Sequence, residues 1–282
     1  MTDYAYHLLN VFTLDGNRLS GNPLCVFEDG RGLDSATMQA LARQFNLSET
    51  TFLFPSEKAT AAVRIFTPNY EMPFAGHPTL GTAHVVRALR ATGDAVTLEM
   101  KAGVIPVTAE GDHWTLEANA PRYRQVDAAP HRLAEMLGLP ADDVLDGARW
   151  VNTGSEQLVI PLRSPEAVSR CQPVASLLKR YGCVNDDRYL AYVFAEAGGG
   201  EIRARFFFPK GTAIAEDPAT GSACANLGGW FLAQGAALPL SRVMRQGDEV
   251  GRPSRLVLRV DGERRIFVSG EVIELGHGVI AL

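Results

Sequence analysis

The chain has 282 residues, 46% of them hydrophobic, which suffices for two domains of ordinary size with a core each. Its formal net charge is −5 and no cluster of Lys and Arg stands out, which argues against nucleic acid as the main partner. No basic start followed by an apolar run opens the chain, and the longest uncharged run, residues 218–241, is broken by Asn226, Gln234 and several glycines. Neither a signal peptide nor a membrane span is therefore expected, and a cytoplasmic location is.

Tyr4–Thr13 alternates in side-chain type and predicts a first strand, paired as a hairpin with a second at Leu24–Phe27. Asp34 is a suitable N-cap for a helix carrying Met38, Leu41, Ala42 and Phe45 at spacings of three and four, with Asn46 ending it in a left-handed conformation. Strands follow at residues 50–54 and 61–66, then a helix closing near Gly93, then short strands at 96–100, 104–109 and 113–118. The pattern predicts a curved sheet wrapped around that helix. Asn119–Asp127 breaks it and marks a domain boundary.

The second half predicts helices at 130–137 and 174–181 and strands at 149–151, 158–161, 189–195, 202–208, 243–246, 255–260 and 266–274. Residues 1–122, joined by the tail 275–282, form the expected first domain, and 123–274 the second. No low-complexity linker separates them, so a cleft between packed domains is expected.

Two stretches repeat one order: an aromatic-Pro pair, an acid, a Gly followed by a polar residue, and a helix free of charge. They are Phe66 to Val86 and Phe208 to Leu232. Gly76-His77 and Gly221-Ser222 stand at the predicted helix starts, where unpaired backbone N–H groups favour a carboxylate. Pro78 suits the first helical position, which makes His77 the expected cap, and Ser222 is a favoured cap in its own right.

Glu49 joins the first helix to an apolar strand, so it is either a partly desolvated acid/base with a raised pKa or an exposed turn carboxylate. His77 is either a ligand donor and proton relay or a structural cap, and Asp217 either functional or a carboxylate favoured by the helix end. Glu71 reads as a turn residue. Cys25, Cys171, Cys183 and Cys224 show no metal spacing, so no metal is expected, and Cys224 reads as a small buried side chain. Dinucleotide and P-loop motifs do not occur.

Taken in order, Asn46-Leu-Ser-Glu-Thr-Thr-Phe52, Phe66-Thr-Pro68, Pro73-Phe-Ala-Gly-His-Pro-Thr-Leu-Gly81, Glu216-Asp-Pro-Ala-Thr-Gly-Ser-Ala223 and Gln246-Gly-Asp-Glu-Val-Gly-Arg-Pro-Ser254 resemble the phenazine-biosynthesis PhzF family over nearly the whole chain. The resemblance implies an α+β fold of the diaminopimelate-epimerase-like kind, with two pseudo-symmetric halves, each a sheet wrapped around a central helix. It implies a cofactor-free isomerase, usually a homodimer, that moves a proton on a small cyclic amino acid such as trans-2,3-dihydro-3-hydroxyanthranilate.

Carried over, Glu49 matches the proton-transferring glutamate, His77, Asp217 and Ser222 the polar residues of the substrate site, and Gly76 and Gly221 the glycines whose neighbouring amides hold the carboxylate. Racemases of this fold place cysteines where Ala75 and Ala219 stand here, which speaks against a two-thiol mechanism. An amino-acid racemase or epimerase and a non-catalytic small-acid-binding protein are the competing readings.

Overall fold

The computed structural model of the chain describes residues 1–185 and 188–282. The chain divides into two compact units, Met1–Glu117 with Ser269–Leu282, and Ala118–Val268. Among the described residues no helix is long and apolar enough to cross a membrane.

The first unit contains β1 (Asp3–Val11), β2 (Asn22–Phe27), α1 (Ser35–Phe45), β3 (Glu49–Phe54), β4 (Ala61–Phe66), the short β5 (Glu71–Met72), α2 (Gly76–Arg90), β6 (Ala95–Met100), β7 (Gly103–Glu110) and β8 (His113–Ala118). The second contains β9 (Arg122–Arg124), α3 (Pro130–Leu137), β10 (Arg149–Asn152), β11 (Glu156–Pro161), α4 (Pro165–Arg170), α5 (Ala175–Tyr181), β12 (Cys183–Asn185), β13 (Arg188–Tyr189), β14 (Ala191–Gly198), β15 (Glu201–Lys210), β16 (Ala213–Asp217), α6 (Gly221–Ala233), β17 (Leu240–Gln246) and β18 (Ser254–Val260). A last strand, β19 (Ile266–Ala281), belongs to the first unit from Ser269 onward.

In the first unit the strands close on themselves in the order β1, β2, β3, β4, β6, β7, β8, β19 and back to β1. Closure removes exposed sheet edges. The helix α2 packs on β1, β2, β3, β6 and β7, and Gly76 to Ala83 are all buried, which is why this stretch of sequence holds no charge. Gly81 is required for that packing, because a Cβ there would sit 2.5 Å from Leu24 Cδ2 and 2.9 Å from Val11 Cγ2. Outside, α1 begins at Asp34, whose side chain accepts from the Thr37 N–H at 2.7 Å, and ends at Asn46 with φ 51°. It lays Met38, Leu41 and Ala42 on a cluster with Phe27, Phe52 and Phe66.

The second unit repeats the first strand by strand. Its β11 runs parallel to β14 as β2 does to β3, β14 antiparallel to β15 as β3 to β4, and β15 antiparallel to β16 as β4 to β5. Then β15 runs parallel to β17 and β17 antiparallel to β18, as β4 does to β6 and β6 to β7. The register matches too: Phe66 lies opposite Thr50 and Glu71, and Phe207 opposite Ala191 and Glu216. The central helix α6 packs on β10, β11 and β18. The expected α+β architecture, each half a sheet around one helix, is the one observed.

Several elements differ from the sequence expectation. The strand predicted to stop at Glu274 runs on through the tail as one strand, β19, to Ala281. Its Gly278 marks a close approach rather than a break, since a Cβ there would lie 2.6 Å from Tyr6 Oη. The helix α4 and the strand β16 were not predicted. Neither His77 nor Ser222 is a cap: the N-caps are Ala75 and Thr220, and both residues are second in their helices. Pro78 is then third, and it fits because the N–H groups of the whole first turn have no partner within the helix.

Candidate active site

The first unit brings together Glu49, Gly76 and His77. Glu49 opens β3, opposite Leu24 of β2, and α2 starts with Gly76-His77. Oε2 of Glu49 lies 3.3 Å from Nε2 of His77, a contact misaligned for a hydrogen bond. Burial lowers the His77 pKa from 6.5 to about 3, partly offset by a ring hydrogen bond to the Pro23 carbonyl. The ring is therefore neutral at physiological pH, and its contact with Glu49 is not an ion pair. The helix ladder begins with the Thr79 N–H on the Ala75 carbonyl, so the N–H groups of Gly76 and His77 lie outside it. Thr79 Oγ1 also donates to the Ala75 carbonyl at 2.7 Å.

The second unit places its predicted residues in two polar clusters. Asp217 ends β16 and accepts from Thr220 Oγ1 at 2.5 Å. The buried Gln246 binds this turn, its Nε2 donating to the Asp217 carbonyl at 2.8 Å and to Thr220 Oγ1 at 3.0 Å. Ser222 accepts from Gln157 Nε2 at 2.8 Å, and Gln157 Oε1 accepts in turn from Asn226 Nδ2 at 2.7 Å. Here the ladder starts at Ala223 and Cys224, both donating to the Thr220 carbonyl, so the N–H groups of Gly221 and Ser222 lie outside it.

Gln157, Asn226 and Gln246 were not singled out as site residues from sequence. A signal was present for Asn226, a polar residue within the charge-free stretch that becomes α6, whereas Gln157 and Gln246 lie in strands with charged neighbours and are recognised only by their burial. Glu71, read as a turn residue, is instead in β5 and paired with Arg64 at 2.8 Å and Lys101 at 2.7 Å. The repeat equates Glu71 with Glu216, which pairs with Arg205 at 2.7 Å, while Asp217 takes the place of Met72. By the same register Leu190, one residue before Ala191, stands where Glu49 stands in the first unit. The two N-caps, Ala75 and Thr220, are equivalent and neither is a cysteine; Thr220, not the expected Ala219, is the counterpart of Ala75, because each directly precedes the glycine that opens its helix. Cys224 is fully buried inside α6, and burial pushes its thiol pKa far up. Among the described residues, no group of three or more His, Cys, Asp and Glu side chains has an arrangement able to hold a metal ion.

Residues 9–278 match the family model described as phenazine biosynthesis-like protein, PhzC-PhzF. An uncharacterised isomerase of Pasteurella multocida is 40% identical over 291 aligned residues, covering 99% of this chain and 94% of that protein. The trans-2,3-dihydro-3-hydroxyanthranilate isomerase of Pseudomonas fluorescens is 33% identical over 273 residues, covering 94% and 95%. A PhzF-family phenazine biosynthesis protein of Bacillus anthracis has the same fold, with a TM-score of 0.85 at 22% identity over 100% of both chains. With a match that runs through both units, the chain belongs to the phenazine biosynthesis-like family and is an isomerase.

Proposed function

We propose that the protein is a cofactor-independent isomerase that moves a proton on a small cyclic amino acid such as trans-2,3-dihydro-3-hydroxyanthranilate, the compound named for the relative from Pseudomonas fluorescens. Glu49 is its acid/base. The carboxylate takes a proton from an activated carbon, the electron pair moves into the conjugated system, and the same carboxyl returns the proton to another carbon of that system. Atoms and electrons balance without an oxidant or reductant. The N–H groups of Gly76-His77 and Gly221-Ser222 hold the substrate carboxylate and stabilise the charge that develops on it. Asp217, as a carboxylate, takes the substrate's amino or hydroxyl group.

The observation that carries this reading is the contact between Glu49 and a neutral His77 at the start of α2. A neutral imidazole does not form an ion pair with the carboxylate beside it, so His77 does not tie Glu49 up as a counter-ion. The presence of Leu190 in the equivalent place favours one base over two, hence movement of a double bond over epimerisation.

The test is mass-spectrometric deuterium incorporation in D₂O with trans-2,3-dihydro-3-hydroxyanthranilate. Wild type is expected to place deuterium in the product and Glu49→Gln to place none. Equal incorporation by both proteins would remove Glu49 from the chemistry. Exchange with inversion at one carbon and no shift of the double bond would establish the epimerase reading.

A further inference from the structure

The polar side chains behind Ser222 form a relay with a fixed direction. The backbone N–H of Thr153, which is only ever a donor, reaches Asn226 Oδ1 at 2.8 Å, and Thr153 Oγ1 reaches the same oxygen at 2.7 Å. This sets the orientation of the Asn226 amide. Its Nδ2 donates to the Ser155 carbonyl at 2.8 Å and to Gln157 Oε1 at 2.7 Å. Gln157 is left presenting Nε2, which donates to Ser222 Oγ at 2.8 Å. A hydroxyl that accepts on this side keeps its single hydrogen for a different partner.

The repeat supplies an internal control. Asn226, Gln157 and Thr153 are 0%, 2% and 5% exposed, and burying such groups is unfavourable unless every one is satisfied. The places they occupy are filled in the first unit by Gly81, Leu24 and Val11, which meet in an apolar contact. The same strand order and the same central helix therefore form without the amides, so the fold alone does not call for them.

We propose that Gln157 and Asn226 are positioning residues that keep the Ser222 hydroxyl hydrogen turned away from the relay and toward an acceptor group of the substrate, a carboxylate oxygen. The proposal rests on the reading of Ser222 as a substrate-binding residue. Thr153 anchors the relay, and its direction runs from the protein backbone outward to the ligand.

Kinetics with trans-2,3-dihydro-3-hydroxyanthranilate test the coupling. Gln157→Glu keeps the shape but offers Ser222 an acceptor, so the hydroxyl hydrogen turns inward. KM is expected to rise about ten- to hundredfold with kcat changed far less, matching Ser222→Ala. Adding Gln157→Glu to Ser222→Ala is expected to raise KM no further, and Gln157→Met to act like Gln157→Glu but more weakly. Additive effects would show a merely structural role and overturn the proposal.

A neutron structure of the unliganded wild type in D₂O tests the relay without any substrate. Deuterium on Gln157 Nε2 directed at Ser222 supports it, and a Ser222 deuterium directed at Gln157 overturns it. An unchanged KM in Ser222→Ala would instead overturn the substrate-binding role of Ser222, a failure the neutron map separates from failure of the relay.

Discussion

His77 keeps its Nε2 3.3 Å from Oε2 of Glu49 while remaining a neutral ring buried in the first turn of α2. The arrangement sets a carboxylate beside an uncharged ring rather than a cation. It also makes the stability of the protein depend on pH.

The unfolded His77 titrates near 6.5 and the folded one near 3. Between these values the unfolded chain binds the proton and the native state does not, so stability is fully present above the unfolded pKa and falls as pH drops from 6.5 toward 3. The slope from this group approaches about 1.4 kcal/mol per pH unit. Denaturant melts between pH 7 and pH 4 are expected to show a shallower loss for His77→Gln than for wild type. Identical slopes would mean that His77 is protonated in the native state.

The paired ions Arg64–Glu71 and Arg205–Glu216 occupy equivalent places but differ in burial, their side chains being 28% and 16% exposed in the first pair and 10% and 6% in the second. Burial pushes the Glu216 pKa up, whereas the Arg64 hydrogen bond holds that of Glu71 down. Arg205 also donates to the carbonyls of Val168, Ser169 and Cys171, where α4 ends. Removing it strands a buried carboxylate and three carbonyls, so Arg205→Met is expected to cost about 3–5 kcal/mol. Arg64→Met, which leaves Glu71 paired with Lys101, is expected to cost about 1 kcal/mol. Equal losses in chemical denaturation would contradict this ranking.

Close approach at Gly81 makes Gly81→Ala an overpacking substitution, expected to destabilise by about 1–3 kcal/mol although alanine is the better helix former. Leu24→Ala removes the atom 2.5 Å from the added Cβ, so the double variant is expected to be more stable than the sum of the two single effects. Strict additivity would place the strain elsewhere.

Thiol chemistry plays no part in the proposed mechanism. Burial pushes the Cys171 pKa to about 12 and those of Cys25 and Cys224 still higher, while Cys183 is partly exposed. Iodoacetamide is expected to label native protein at Cys183 first and to leave turnover intact. Loss of activity that tracks labelling of Cys224 would revive a thiol mechanism.

Sequence alone was informative where one local rule decided the outcome. Asp34 and Asn46 bound α1 as their side-chain chemistry predicts, and the charge-free stretches at 76–86 and 221–233 are the two central helices. The cap assignment at His77 failed because proline is tolerated throughout the first helical turn, so Pro78 does not fix the start. Ser164-Pro165-Glu166 is a good helix start, but α4 has six residues, too few to show a period. The Gln157–Asn226 contact is beyond local reading, because it joins a strand to a helix and acquires meaning only against the apolar pair Leu24 and Gly81 in the other unit.

The pairing of β1 with β19 has a consequence for how the chain comes into being. Asp3 pairs with Ala281 and Val11 with Val272, so β1 is held on one side by a segment synthesised only after the whole of Ala118–Val268. The second unit, continuous from Ala118 to Val268, has all its residues synthesised before that segment exists. Translation order therefore inverts the order in which the halves reach completion: the later-encoded half is able to close first, while the earlier one keeps an open β1 edge in need of protection during synthesis.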